Sequence, residues 1–234
     1  LCYDNPERWK YIAETCAIPP RQPRDATTPH HTTPHRTPGS GSINVCNRPH
    51  VFWLFGLSGA GKSTLAESLR GELSGTLNAM PLMLDGDRLR GGLCLDLGFS
   101  DADRAENLRR AAEVARLGVE SGHVVIAAFI TSREENRLMI EKIIGKEWIS
   151  LIHVDASLDV CRERDVKGLY ARALTGEVQW MTGLTAAFDP PSRCALQLET
   201  GTEEPKVSAT KLLGFARQMI EVRNERWDLQ AAAV

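Results

Sequence analysis

Gly56-Leu57-Ser58-Gly59-Ala60-Gly61-Lys62-Ser63-Thr64 sets three glycines, a lysine and three hydroxyls in a stretch that fits the spacing G-x-x-x-x-G-K-[ST]. Glycines let a backbone wrap closely round a polyphosphate with its N–H groups turned inward. A helix that starts there adds its partial positive charge. Lys62 would reach the outer phosphates, and Ser63 would offer an oxygen to Mg²⁺. The alternative is a glycine-rich turn that binds nothing, and the flanking elements separate the two. Val51-Phe52-Trp53-Leu54-Phe55 reads as a buried parallel strand. Ser63 to Leu73 reads as a helix with Leu65 and Leu69 four residues apart. A loop between a strand and a helix is the setting that a phosphate loop requires.

The second group able to do chemistry is Asp85-Gly86-Asp87, which ends the apolar run Pro81-Leu82-Met83-Leu84. In open parallel sheets ligands bind just outside the carboxyl ends of the strands. Two carboxylates there can hold Mg²⁺ and take a proton from an attacking hydroxyl. They can also be plain surface turn residues. The run Val124–Ile130 closes on Thr131 with no acid at its tip, which leaves Asp85 and Asp87 as the carboxylate source. Arg88, Arg90 and Arg104 offer cations to an anionic acceptor, although an arginine is ordinarily just a solvated surface group.

The elements that must position these groups alternate in type. Ser100 has N-cap chemistry, with Asp103 in the first turn of a helix that runs to about Gly122. Leu108, Ala111, Ala112, Ala115 and Leu117 supply its apolar positions. Val124–Ile130 reads as a central strand, Glu134–Ile144 as a helix and Ile149–Val154 as a further strand. Strands alternating with helices imply a three-layer α/β fold of the P-loop NTPase type, a parallel sheet with helices on both faces. From Cys161 to about Leu198 the pattern breaks. Arg162, Arg164, Lys167, Arg172 and Arg193 sit among Gly168, Gly176, Gly183, Pro190 and Pro191. That stretch reads as a basic lid over the phosphate loop, against the plainer reading of a solvated surface. Residues 208–226 form a closing helix with Leu212, Leu213, Ala216 and Ile220 on one side.

Apolar residues are 42% and charged residues 25%, as in an ordinary soluble domain, and the net charge of −2 gives no general pull on nucleic acid or an anionic membrane. No apolar run is long enough to span a bilayer, and no signal peptide opens the chain. The six cysteines are scattered without a C-x-x-C pair, so a reducing cytoplasmic setting is expected. Leu1 in the first position reads as a piece of something longer. Residues 1–18 read as the remnant of an upstream domain in preference to a short helix after Asn5. Residues 19–48 read as a Pro/Thr/His-rich disordered linker, since seven of the twelve prolines fall between Pro19 and Pro49. His30, His31 and His35 lie in that tract with no fixed geometry, which argues against a metal site. Residues 49–227 then form the compact domain, and 228–234 a tail.

Further stretches carry a resemblance. They are Leu84-Asp85-Gly86-Asp87-Arg88-Leu89-Arg90, Asp96 to Arg110 with Leu97-Gly98-Phe99-Ser100 at its heart, Ala128-Phe129-Ile130, Cys161 to Tyr170 with Lys167-Gly168-Leu169-Tyr170, and Thr182-Gly183. Together with the phosphate loop they resemble the adenylyl-sulfate kinase (APS kinase) family over the whole compact domain. The resemblance implies transfer of the ATP γ-phosphate to the 3′-hydroxyl of adenosine 5′-phosphosulfate (APS), giving PAPS, with Mg²⁺. It implies that Gly56–Thr64 holds the ATP phosphates and that Asp85 is the base or metal partner beside Ser63. Lys62, Asp85, Asp87 and Lys167 would form the catalytic set, with Lys167 reaching the acceptor from the lid. Arg90, Phe99, Arg104 and Asn107 would bind the acceptor, Phe99 stacking on its adenine, with Ile130 and Thr131 beside them. Arg164 would lie near the adenine of ATP. The family usually has Ser where Thr131 stands, and the hydroxyl survives. It usually has Phe, the second aromatic slab, where Met181 stands, and a thioether offers a smaller and softer face. A homodimer is expected, along with fusion to an upstream sulfur-metabolism domain. Two rival readings are a related kinase with another nucleotide-like acceptor, and an ATP-binding module without turnover.

Overall fold

A computed structural model describes residues 49–77, 81–177 and 180–231. The expectations for residues 1–18 and for the linker with His30, His31 and His35 lie outside the described residues. Five parallel strands form one sheet: β1 (His50–Phe55), β2 (Leu82–Asp85), β3 (Val124–Phe129), β4 (Ile149–Asp155) and β5 (Leu196–Glu199), in the order β2-β3-β1-β4-β5. The helices are α1 (Lys62–Leu77), α2 (Gly86–Arg90), α3 (Asp101–Glu120), α4 (Glu134–Ile144), α5 (Leu158–Arg164), α6 (Leu169–Leu174) and α7 (Pro205–Ala231).

The central strands β1 and β3 are buried at every position, and apolar at all but His50, because both of their faces are covered. Phe52 and Leu54 of β1, Ile126 and Ala128 of β3 and Ile152 and Val154 of β4 pack with Leu65, Leu69 and Leu73 of α1 and Leu212 and Ala216 of α7. The alternate residues Val51, Trp53 and Phe55, with Val125, Ala127 and Phe129, pack with Leu108, Ala111, Ala112 and Ala115 of α3 and Ile140 and Ile144 of α4. Two-residue periodicity thus divides one sheet into two cores, giving the three-layer P-loop fold. Parallel pairing sets Phe55 against Phe129, and Leu84 against Ala127, so the three strand tips open on one edge.

Several expectations change. Leu117 is exposed, and the buried positions of that turn of α3 are Gly118 and Val119. A Cβ on Gly118 would stand 2.8 Å from Val125 Cγ2, so the glycine sets how closely α3 lies on the sheet. β5 falls inside the stretch read as lid. Its four residues Leu-Gln-Leu-Glu alternate as a half-buried edge strand, too short to signal itself. The basic lid is also narrower than its composition implied. Arg162 pairs with Asp159, and Arg193 with Glu141 on α4, while Lys167 and Arg172 line the central cavity. The closing helix α7 starts earlier than read, at Pro205, and continues through Ala231.

Candidate active site

Gly56 leaves β1 with its N–H donating to Ile130 O at 3.3 Å, so the phosphate loop and the tip of β3 leave the sheet side by side. Gly59 has φ +79, and a Cβ there would stand 2.9 Å from the Cys161 carbonyl oxygen, which restricts the position to glycine. Lys62 opens α1 and turns its Nζ back onto Leu57 O at 2.7 Å. Burial lowers its pKa to about 8, against an ordinary 10.5, with the nearby Lys167 charge adding to the effect. Ser63, the next residue, donates its hydroxyl to Asp85 Oδ2 at 3.1 Å.

Asp85 is the last residue of β2 and the N-cap of α2. Its Oδ1 accepts from Asp87 N at 3.0 Å and Arg88 N at 3.3 Å. One carboxylate is thus fixed by two backbone donors while its second oxygen faces the phosphate loop. Asp87 forms an ion pair with Lys167 across the cavity. Lys167 comes from the turn before α6, which Asp165 organises by accepting from Tyr170 N at 3.1 Å and Ala171 N at 2.9 Å.

On the far side stand the acceptor candidates. Arg90 donates to Gly98 O at 2.6 Å and lies over the Phe99 ring at 4.4 Å. Arg104 donates to Phe99 O at 2.9 Å, to Thr182 Oγ1 at 2.8 Å and to Trp180 O. Its guanidinium therefore ties the Leu-Gly-Phe-Ser loop to the lid, and burial lowers the pKa of both arginines from its ordinary value. Asn107 is buried, lines the cavity, and its Oδ1 has no partner among the described residues. An orphaned acceptor of this kind is costly unless a ligand supplies a donor.

Two of the expected acceptor residues line the cavity and are also held by the core. Thr131, at φ +44 and almost fully buried, accepts at Oγ1 from Trp53 Nε1 at 3.0 Å, so its oxygen is engaged by the core below the site. Met181 lines the cavity but is only 4% exposed and belongs to the core of the α1 face. The neighbouring Trp180 is 49% exposed and Phe99 58%, both on the same cavity. The aromatic surface missing at 181 is thus present one residue earlier. A tryptophan exposed in a lid was a signal available in the sequence. Arg164 lies outside the cavity lining and donates to Thr200 O at 2.6 Å behind the phosphate loop.

Ser58, Lys62, Ser63, Asp85, Asp87, Arg90, Phe99, Arg104, Asn107, Ile130 and Lys167 all face one cavity of about 660 Å³. A shallower hollow of about 490 Å³ beside β2 holds none of them. Among the described residues no group of three or more His, Cys, Asp or Glu could cage a metal ion. The adjacent Ser63 hydroxyl and Asp85 carboxylate nevertheless fit Mg²⁺, which takes one or two hard protein oxygens and completes its shell with phosphates and water.

The chain is 42% identical to the adenylyl-sulfate kinase of Acaryochloris marina, over 72% of this chain and 82% of that one. It is also 42% identical to the adenylyl-sulfate kinase of Escherichia coli, over 76% of this chain and 88% of that one. Its fold superposes on the Mycobacterium tuberculosis APS kinase solved in complex with AMPPNP and APS, with TM-score 0.69 and 36% identity, over 73% of this chain and 98% of that one. The sequence model of the adenylylsulphate kinase family matches residues 48–199, from the first strand to the last, and the chain therefore belongs to that family.

Proposed function

We propose that the cavity binds ATP and APS together and that the residues above divide the work of phosphoryl transfer between them. As a member of its family the chain is a kinase, moving the γ-phosphoryl group of ATP to the 3′-hydroxyl of APS to give ADP and PAPS. The acceptor oxygen forms a bond to the γ-phosphorus, the bond from that phosphorus to the β–γ bridging oxygen breaks, and the hydroxyl proton passes to a carboxylate. Such a reaction is mostly positioning and charge neutralisation. Gly56–Thr64 wraps the ATP phosphates, Lys62 swings from Leu57 O to the transferred group, and Ser63 with Asp85 would hold Mg²⁺, which would supply positive charge to the phosphates. Asp85 is the proton acceptor, already oriented by two backbone N–H groups.

On the acceptor side, Arg90 and Arg104 meet the anionic groups of APS, Lys167 reaches it from the lid, and Asn107 Oδ1 takes a donor from the adenine. Phe99 and Trp180 provide the exposed aromatic faces, while Met181, with Ile130 and Thr131, forms the floor. The protein works in the cytoplasm as a homodimer, and residues 1–48 are dispensable to the chemistry.

The observation that carries this reading is the 3.1 Å contact between Ser63 and Asp85, which joins the phosphate-loop hydroxyl to the carboxylate at the tip of β2. The test is Asp85→Asn, assayed for PAPS by chromatography of reactions with ATP, Mg²⁺ and APS. Turnover should fall by at least about a hundredfold while ATP affinity changes little. Full turnover in the variant refutes the assignment, and ATP binding without PAPS in the wild type would favour a non-catalytic module.

A further inference from the structure

Four successive carbonyls of the phosphate loop are each held by a donor. Lys62 Nζ takes Leu57 O at 2.7 Å, the Tyr170 hydroxyl takes Ser58 O at 2.9 Å, Arg164 reaches Gly59 O at 3.5 Å, and Thr200 Oγ1 takes Ala60 O at 2.7 Å. The C=O and N–H of one trans peptide point in opposite directions. Holding the Ser58 carbonyl from behind therefore turns the Gly59 N–H the other way, and both residues line the cavity. Of the four donors, Tyr170 is distinct in its origin. Lys62 belongs to the loop itself, and Arg164 and Thr200 come from the ends of α5 and β5. Tyr170 comes from the lid, three residues after Lys167.

The intervening turn is stiff. Asp165 accepts from both Tyr170 N and Ala171 N, and Gly168 sits at φ +63 between the two reaching side chains. Lys167 extends from one end of this turn to Asp87, beside the acceptor candidates. Tyr170 extends from the other end to the ATP loop. Its ring is buried, and burial raises the pKa of its hydroxyl, which stays a donor at any physiological pH. We propose that Tyr170 is a positioning residue that couples the two substrate sites: seating of the lid by APS through Lys167 fixes the Ser58 peptide through the Tyr170 hydroxyl and so tightens ATP binding. The coupling is reciprocal, since two ligands must change each other's affinity by the same factor. This inference rests on the acceptor reading above.

Tyr170→Phe keeps the buried ring and removes the one hydroxyl. Calorimetry would measure AMPPNP affinity in the presence of Mg²⁺, with and without saturating APS, on wild-type protein and variant. In the wild type APS should tighten AMPPNP binding several-fold, and in Tyr170→Phe that ratio should fall to about one, whatever the affinity without APS. A merely structural tyrosine would shift the melting temperature and leave the ratio unchanged. An unchanged ratio in the variant, or a ratio of one in the wild type, overturns the coupling role alone. Failure of APS to bind either protein overturns the acceptor reading and this inference with it.

Discussion

Lys62 provides a test that needs only a change of pH. In the free protein its half-buried side chain faces the cavity with Nζ resting on Leu57 O, and burial lowers its pKa to about 8. The unfolded chain would titrate near 10.5. Between these values the unfolded state binds more protons, so the burial cost is fully present below pH 8 and is relieved as pH rises towards 10.5. ATP reverses the balance, because its phosphates favour the ammonium form. ATP binding above pH 8 must therefore take up a proton. With a free-protein pKa of about 8, the protonated fraction falls from about nine-tenths at pH 7 to about one-tenth at pH 9. The ATP dissociation constant should then rise about tenfold across that range, or about 1.4 kcal/mol. Calorimetry with ATP and Mg²⁺, no acceptor, in two buffers of different ionisation heat should show uptake of about half a proton per ATP at pH 8. Lys62→Met should bind more weakly and lose the pH dependence. A flat affinity from pH 7 to pH 9 with no proton uptake would show that the lysine is already charged and solvated, and would refute the reasoning.

Other tests follow from the acceptor side and the domain boundary. Phe99→Ala and Trp180→Ala should each raise the APS Michaelis constant by about 1–3 kcal/mol of lost stacking, with the ATP constant unchanged in steady-state kinetics. Met181→Phe, at a buried position, should instead lower the thermal midpoint through overpacking by about 1–3 kcal/mol, and better APS use with no loss of stability would place the adenine over Met181 after all. A protein of residues 49–234 should fold and keep its turnover, and loss of folding would move the boundary upstream.

The phosphate loop and the acidic tip of β2 were legible because their chemistry is written in consecutive residues and their setting in apolar runs. β1, β3 and β4 were legible for the same reason: buried on both faces, they are largely apolar stretches, and β2 showed as the short apolar run that ends on Asp85. β5 was not, since an edge strand of four residues with two polar positions looks like loop. Nor were the long-range contacts. Nothing near Tyr170 announces Ser58, 112 residues away, and the basic character of Arg164 gave no hint that its guanidinium would be spent on backbone carbonyls. For Thr131, residue type suggested a hydroxyl for the ligand. Trp53 claimed it, a pairing that depends on two strands lying side by side.

The ladder between β1 and β3 has one more consequence. Phe55 and Phe129 are paired in register, and the first bond beyond them joins Gly56 N–H to Ile130 O. The loop assigned to the phosphoryl donor and the strand tip lining the acceptor pocket are therefore spliced together by the backbone itself. No hinge lies between them. The line along which the phosphoryl group must travel is laid down when the sheet folds, before either nucleotide arrives. Loosening of the lid would leave sites emptier without throwing them out of line, whereas a slip of the ladder by one residue would turn Phe55 and Phe129 to the opposite face and misdirect the transfer altogether.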